Sequence, residues 1–368
     1  VVLKDRSGAD RVTVQVNFRS LQEQTPGDAW RQVFDHGWPG WRQWWLSKDG
    51  GRGASREQCR MALRRHMPEF ARTWEQLVEV VGGGDEVAQF LSFWSPPRYL
   101  VHCSQAVLVE DEGPVLIRNY DLDPNLNEGT LYKTCWRDRT VVGMVEGMAG
   151  LADGMNDAGL VVSLTFGGRV AYGPGFGIPL VVRYLLESCT DVEDAVETLR
   201  RLPCHMSYNL TLMDMKGCWA TVLLSPDRPP IVTDQRFATN HQLTVELPRH
   251  GRNTKTIERA ERLNAVLSAS GASPATLEAA FLQPPLFSTA YDKGFGTIYT
   301  AVYRPKAGTV SLLWPDGCRF VWGMDAFHDR DFDVVYSPQG SQVTGHGTRG
   351  PAGHGIGGQT DHRGRKYN

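Results

Sequence analysis

Cys103 stands in Leu100-Val101-His102-Cys103-Ser104-Gln105, and eleven residues after it a second β-type run begins that carries Arg118-Asn119-Tyr120-Asp121. Two adjacent strands would bring one thiol, one guanidinium and one carboxylate together. A thiolate attacks an amide well, but a cysteine thiol, with its pKa near 8.5, needs a neighbouring cation or base to become one. Arg118 can be that cation. His241, in Ala238-Thr239-Asn240-His241, offers a different activator: a conventional Cys103/His241 thiol hydrolase that needs no chain cleavage. A lone cysteine is more often a buried small hydrophobe, so the neighbours carry the case. The other six, Cys59, Cys135, Cys189, Cys204, Cys218 and Cys318, form no C-x-x-C pair and read as neither a disulfide framework nor a zinc site.

Further short motifs follow in order: Gly154-Met155-Asn156-Asp157-Ala158-Gly159-Leu160, Tyr208-Asn209-Leu210-Thr211-Leu212-Met213-Asp214, and Ala238-Thr239-Asn240-His241. With the cysteine and Arg-Asn-Tyr-Asp, the series resembles the N-terminal-nucleophile (Ntn) superfamily of isopenicillin-N acyltransferase, choloylglycine (bile-salt) hydrolases and acid ceramidase. It is most similar to the isopenicillin-N acyltransferase branch, whose members carry a helical leader of about this length. The resemblance covers roughly residues 55 to 336.

That resemblance implies an α+β fold, a four-layer αββα Ntn-hydrolase sandwich with an α-helical N-terminal leader. It implies a small-molecule acyl-amide substrate and a thioester on Cys103, followed by hydrolysis or transfer, with no cofactor and no metal. By the same resemblance the peptide bond before Cys103 is expected to be cut, the freed α-amine, with a pKa near 7.7 to 8.0, to exchange protons for the sulfur, and Asp121 to hold and orient that amine. Asn240 and Asn156 match positions that supply or support an oxyanion hole, where one good donor contributes roughly 3 to 4 kcal/mol. Asn156 also suits a turn needing positive φ, and Asn209 is a weaker candidate. A second site arginine is implied after Thr239-Asn240; Arg252 and Arg259 both fall there, and spacing does not separate them. The family commonly has Gly before the nucleophile; here it is His102, bulkier and able to carry a proton. The cleaved leader is expected to stay as a subunit.

The elements that must position these residues divide the chain in three: a leader (1–102), a catalytic domain (103–336) and a Gly/His-rich tail expected to be disordered (337–368). The leader reads as largely helical from about residue 55, with a Ser55-x-x-Gln58 capping box and a stripe of Phe70, Trp74, Leu77 and Val78. Before that lies Trp38-Pro39-Gly40-Trp41-Arg42-Gln43-Trp44-Trp45, which serves packing or walls an acyl pocket. Beyond Ser95-Pro96-Pro97 come β-type runs grouped around helices at 179–188, 191–201, 254–268 and 275–282. In the tail, two G-x-G-x-x-G matches begin at Gly345 and Gly353; neither is set between a strand and a helix as a dinucleotide site requires.

Length and composition suit an enzyme: 368 residues, 41% hydrophobic, 22% charged, net charge −2. Neither a nucleic-acid nor a membrane partner is implied by charge, and no apolar run approaches the roughly 20 residues a membrane span needs. The expected location is cytoplasmic. A non-catalytic binding protein on the same fold is the reading from another class.

Overall fold

A computed structural model describes residues 2–3, 13–48, 50, 53–98 and 102–347. In chain order the strands are β1 (Val2–Leu3), β2 (Thr13–Glu23), β3 (His102–Glu110), β4 (Gly113–Leu122), β5 (Thr130–Thr134), β6 (Val141–Glu146), β7 (Gly150–Asn156), β8 (Val161–Phe166), β9 (Tyr208–Met213), β10 (Trp219–Ser225), β11 (Arg228–Thr233), β12 (Phe237–Ala238), β13 (Gly296–Arg304), β14 (Thr309–Leu313), β15 (Arg319–Gly323), β16 (Arg330–Ser337) and β17 (Gly340–Gly347). The helices are α1 (Asp28–Ser47), α2 (Arg56–His66), α3 (Pro68–Val80), α4 (Asp85–Ser92), α5 (Ile178–Ser188), α6 (Val192–Arg201), α7 (Pro248–Asn253), α8 (Thr256–Leu267) and α9 (Pro274–Phe281).

Two sheets pack face to face. Among the described residues the larger has eleven strands in the order β11-β10-β9-β8-β7-β6-β5-β2-β16-β17, with β1 on β2; the smaller has six, β12-β3-β4-β13-β14-β15. Strand alternation sends β3 and β4 side chains to opposite faces. Cys103, Val107, Leu116 and Tyr120 enter the core between the sheets. Ala106, Leu108, Val115 and Ile117 face outward, where Leu263 of α8 and Leu277 and Phe281 of α9 cover them. On the outer face of the large sheet α5 lies over β7 and β8, and α6 over β9 to β11. The layers therefore run helix, sheet, sheet, helix: an α+β αββα sandwich.

Every residue of α5 from Ile178 to Glu187 is buried, its two charged side chains, Arg183 and Glu187, paired with each other at 3.2 Å. Its inner face sits close because Gly150 and Gly154 of β7 lack side chains: a Cβ at Gly150 would meet Pro179 Cβ at 2.4 Å, and one at Gly154 would meet Leu186 Cδ1 at 2.8 Å. On the leader side, Tyr184 Oη donates to Glu69 Oε2 of α3 (2.6 Å).

The leader is woven into the fold rather than laid on it. β2 pairs in parallel with β5 and antiparallel with β16, and Phe18 stacks on Phe332 and meets Trp314 edge-on, each at 5.5 Å. The Trp-dense segment lies in α1, which continues through Pro39; buried Trp30, Val33, Phe34 and Trp45 anchor it despite the missing N–H.

At the other end, the stretch from 337 expected to be disordered instead supplies β17, which pairs with β16 alone at the sheet edge. An edge strand held by main-chain bonds needs few apolar residues, so composition hid it. The rest of the tail, from 348 on, with His354, His362 and the second glycine motif, lies outside the described residues. Among the described residues no helix is long and apolar enough to cross a membrane, and no cluster of three His, Cys, Asp or Glu could hold a metal ion.

Candidate active site

Cys103 is the second residue of β3 and lies opposite Tyr120 in the ladder with β4. Arg118, two residues from Tyr120, projects to the same inner face. Its Nη2 donates to Cys103 Sγ at 2.9 Å, and its Nη1 donates to Asp153 Oδ2 (2.6 Å) and the Ala152 carbonyl (2.8 Å) of β7. Both Cys103 and Arg118 are fully buried. Burial pushes the thiol up to about 12 in the uncut chain, against the pull of Arg118. Asp153 also accepts from Tyr299 Oη (2.7 Å) and Tyr303 Oη. This carboxylate, which sequence reasoning missed, holds the guanidinium rigidly at the sulfur. Its only sequence signal was its place two residues before Met155-Asn156.

Asp121 occupies the other face. It lies opposite His102 in the ladder and points toward the helices, where Arg259 Nη1 of α8 stands 2.6 Å from its Oδ2. That contact is an ion pair more than an aligned hydrogen bond; Thr297 Oγ1 donates to Oδ1 at 2.6 Å. The thiol and this carboxylate thus flank the 102–103 peptide from opposite faces of one strand. The main-chain nitrogen of Cys103 lies in the plane between them and points to the edge of the strand, where it donates to Asn240.

On its free edge β3 pairs with the two-residue β12. Where β12 ends, the Asn240 side chain continues the ladder. Its Oδ1 accepts from Cys103 N at 3.3 Å, and with the amide turned over its nitrogen donates to the Cys103 carbonyl at 3.2 Å. The loop is clamped by Asn209, whose Nδ2 donates to the Thr239 carbonyl (2.9 Å) and the His241 carbonyl (3.0 Å). Gly168, with φ +67, makes room: a Cβ there would meet the Asn240 carbonyl oxygen at 2.3 Å. Asn209 is therefore a positioning residue for Asn240.

Residues 108–318, more than half of the chain, match the model of one protein family, described as acyl-coenzyme A:6-aminopenicillanic acid acyl-transferase. The chain belongs to that family. It is accordingly an enzyme of amide hydrolysis or acyl transfer, in the Ntn-hydrolase superfamily. The matched stretch begins just past Cys103 and includes Arg118, Asp121, Asn240 and Arg259. No curated protein sequence matches the chain. Among solved structures it is similar to penicillin V acylase from Agrobacterium tumefaciens (15% identity, TM-score 0.43, covering 62% of this chain and 90% of that one). It is also similar to the conjugated bile acid hydrolase of Clostridium perfringens (12%, 0.45, 68% and 99%) and to the N-acylethanolamine-hydrolyzing acid amidase ortholog of Caenorhabditis elegans (14%, 0.43, 66% and 100%).

Not every candidate in this family member reaches the thiol. Arg252 is exposed on α7, whereas Arg259 is 3% exposed and paired with Asp121; the second arginine at the site is Arg259, not Arg252. Asn156 is spent on the fold: its Nδ2 donates to the Leu186 and Cys189 carbonyls, and its Oδ1 accepts from Ala158 N and Leu160 N. It locks α5 to the β7–β8 turn and is not brought to Cys103. His241 turns its Nδ1 to Thr256 Oγ1 (2.9 Å) and Thr239 Oγ1 (3.1 Å), so no Cys–His pair forms. His102 is buried against His250 (ring centroids 4.8 Å apart) and Phe295 (4.3 Å), and burial holds its imidazole well below the usual range.

A pocket opens between the leader helices and the larger sheet. The leader supplies Trp41, Trp44 and Trp45 from α1, with Phe90, Phe93 and Trp94 from α4 and its exit; Glu146, Met206 and Tyr208 come from the family-matched part. Tyr120, the residue opposite Cys103 in the ladder, donates its Oη to Glu146 Oε2 of that lining.

Proposed function

We propose that this chain is a cysteine N-terminal-nucleophile amidohydrolase or acyltransferase that cuts itself between His102 and Cys103 and then works through a Cys103 thioester. The single observation carrying this reading is Arg118 Nη2 at 2.9 Å from the sulfur of a cysteine whose main chain is flanked by the Asn240 amide. In maturation the thiol adds to the His102 carbonyl, the C–N bond breaks as the nitrogen takes the proton, and water hydrolyses the resulting thioester. The products are a free α-amine on Cys103 and a carboxylate on His102.

In turnover that amine accepts the thiol proton, and the sulfur attacks the substrate carbonyl. Arg118 stabilises the thiolate, and Asn240 donates to the oxyanion. The leaving amine departs with the proton held by the α-ammonium, and water or a second amine then takes the acyl group. Asp121, held by Arg259 and Thr297, lies on the helix side of the nitrogen, placed to orient the ammonium. The severed leader stays bound, because β2 sits between β5 and β16 and its loss would split the larger sheet. The free state of all seven cysteines favours a reducing, cytoplasmic compartment.

The test is a panel of N-acyl amino acids, acylated β-lactam amines, bile-salt conjugates and N-acylethanolamines, quenched in acid for mass spectrometry. The reading expects an acyl adduct on the fragment beginning at Cys103, removed by hydroxylamine. Turnover with no adduct on that fragment would defeat it.

A further inference from the structure

Strand β13 carries Tyr299-Thr300-Ala301-Val302-Tyr303, and alternation turns Tyr299, Ala301 and Tyr303 into the core between the sheets. Ala301 stands opposite Arg118 in the ladder with β4, so the residue facing the arginine is a small one set between two phenols. Both phenols end on the same group: Tyr303 Oη donates to Asp153 Oδ1, and Tyr299 Oη donates to Asp153 Oδ2 at 2.7 Å. We propose that Tyr303 and Tyr299 are positioning residues for the nucleophile: by occupying Asp153 they keep its ion pair with Arg118 one-armed, which leaves the second arm of the guanidinium on Cys103. The proposal rests on the reading of Cys103 as the attacking group.

An arginine and a carboxylate frequently close a fork, two parallel N–H···O bonds that use both oxygens. Here Nη1 of Arg118 reaches Asp153 Oδ2 at 2.6 Å while Nη2 reaches the sulfur at 2.9 Å. Oδ1, the oxygen a fork would need, accepts from Tyr303 instead. Burial, and then the Asp153 charge, push both phenols well above their usual range, so they remain protonated donors at neutral pH. All five side chains are buried, where each of these bonds is stronger than it would be in water. The sulfur depends on the free arm: in the uncut chain burial, Asp121 and Glu146 oppose its ionisation, and Arg118 favours it. Without the Tyr303 hydroxyl, Oδ1 is released, the fork closes and Nη2 turns away from the thiol.

The experiment follows alkylation of Cys103 by iodoacetamide against pH, read by mass spectrometry, in the wild type, Tyr303→Phe, Tyr299→Phe and Tyr336→Phe. The last removes a buried phenol that donates to the Ile298 carbonyl rather than to Asp153, and so controls for a lost hydroxyl in the same core. We expect Tyr303→Phe to move the profile up by about one pH unit, a roughly tenfold slower reaction below the thiol's pKa. Tyr299→Phe should move it the same way by less, and Tyr336→Phe should leave it in place. An unmoved or lowered profile in whichever of the two Asp153-contacting variants folds overturns the proposal, as does an equal upward shift in Tyr336→Phe. The same spectra show whether the chain begins at Cys103. An upward shift on a chain that is never cut supports the positioning role and defeats the self-cleavage reading, whereas a cut chain whose profile neither tyrosine moves defeats the positioning role alone.

Discussion

Replacing Arg259 with Met leaves Asp121 fully buried with Thr297 Oγ1 as its remaining close partner. Breaking a buried ion pair from one side costs about 3–5 kcal/mol, because the remaining charge is stranded. The cost must depend on pH. In the wild type, burial pushes the Asp121 carboxyl up while Arg259 and Thr297 pull it back; without Arg259 it rises further. A carboxyl whose folded pKa is raised stabilises the fold fully below the unfolded value, near 3.9, and loses that contribution as pH climbs through the folded value. Urea unfolding should therefore show Arg259→Met weaker than wild type by about 3–5 kcal/mol at pH 8 and by clearly less at pH 5. Adding Asp121→Asn should recover part of the loss at pH 8. Self-cleavage should fail in both variants. An equal deficit at the two pH values, or none, would refute the claim that Arg259 neutralises an ionised Asp121.

Other outcomes follow from the same geometry. Phe18→Ala empties a site against Phe332 and Trp314; it should cost about 3–5 kcal/mol and release the severed leader at lower urea, seen by size exclusion. Asn156→Ala leaves two buried carbonyls and two main-chain donors without their partner, so the melting temperature should drop while kcat of the folded fraction holds. In uncut chains the Cys103 thiol, pushed up to about 12, should react with iodoacetamide at pH 7 on the order of a thousandfold more slowly than an ordinary cysteine, measured by peptide mass spectrometry.

Much of the site was legible because it is local. Arg-Asn-Tyr-Asp on one strand and a cysteine on the next need only antiparallel pairing to meet, and alternation even separates Arg118 from Asp121 onto two faces. The choice between Arg252 and Arg259 was not legible, since it turns on which of two basic residues the fold buries, and Lys255 at φ +50 separates α7, which carries Arg252, from α8, which carries Arg259. Asn156 misled for a related reason: its turn motif is real, but the partners that consume its amide, the Leu186 and Cys189 carbonyls, are about thirty residues away. Asp153 gave no signal beyond its place before Met155-Asn156, because its role exists only once the two sheets face each other. In the leader, Val14, Val16, Phe18 and Ser20 alternate as a strand should, yet polar residues between them masked it. Pro39 likewise hid α1, whose continuity depends on buried tryptophans rather than on propensity.

The account turns on a new amino terminus at Cys103, and intact-mass measurement of the freshly purified wild type beside Cys103→Ala reads it directly. We expect two wild-type species, the larger beginning at Cys103, that travel together on size exclusion, and one full-length Cys103→Ala species. A full-length wild-type chain that hydrolyses acyl amides without ever being cut would contradict it.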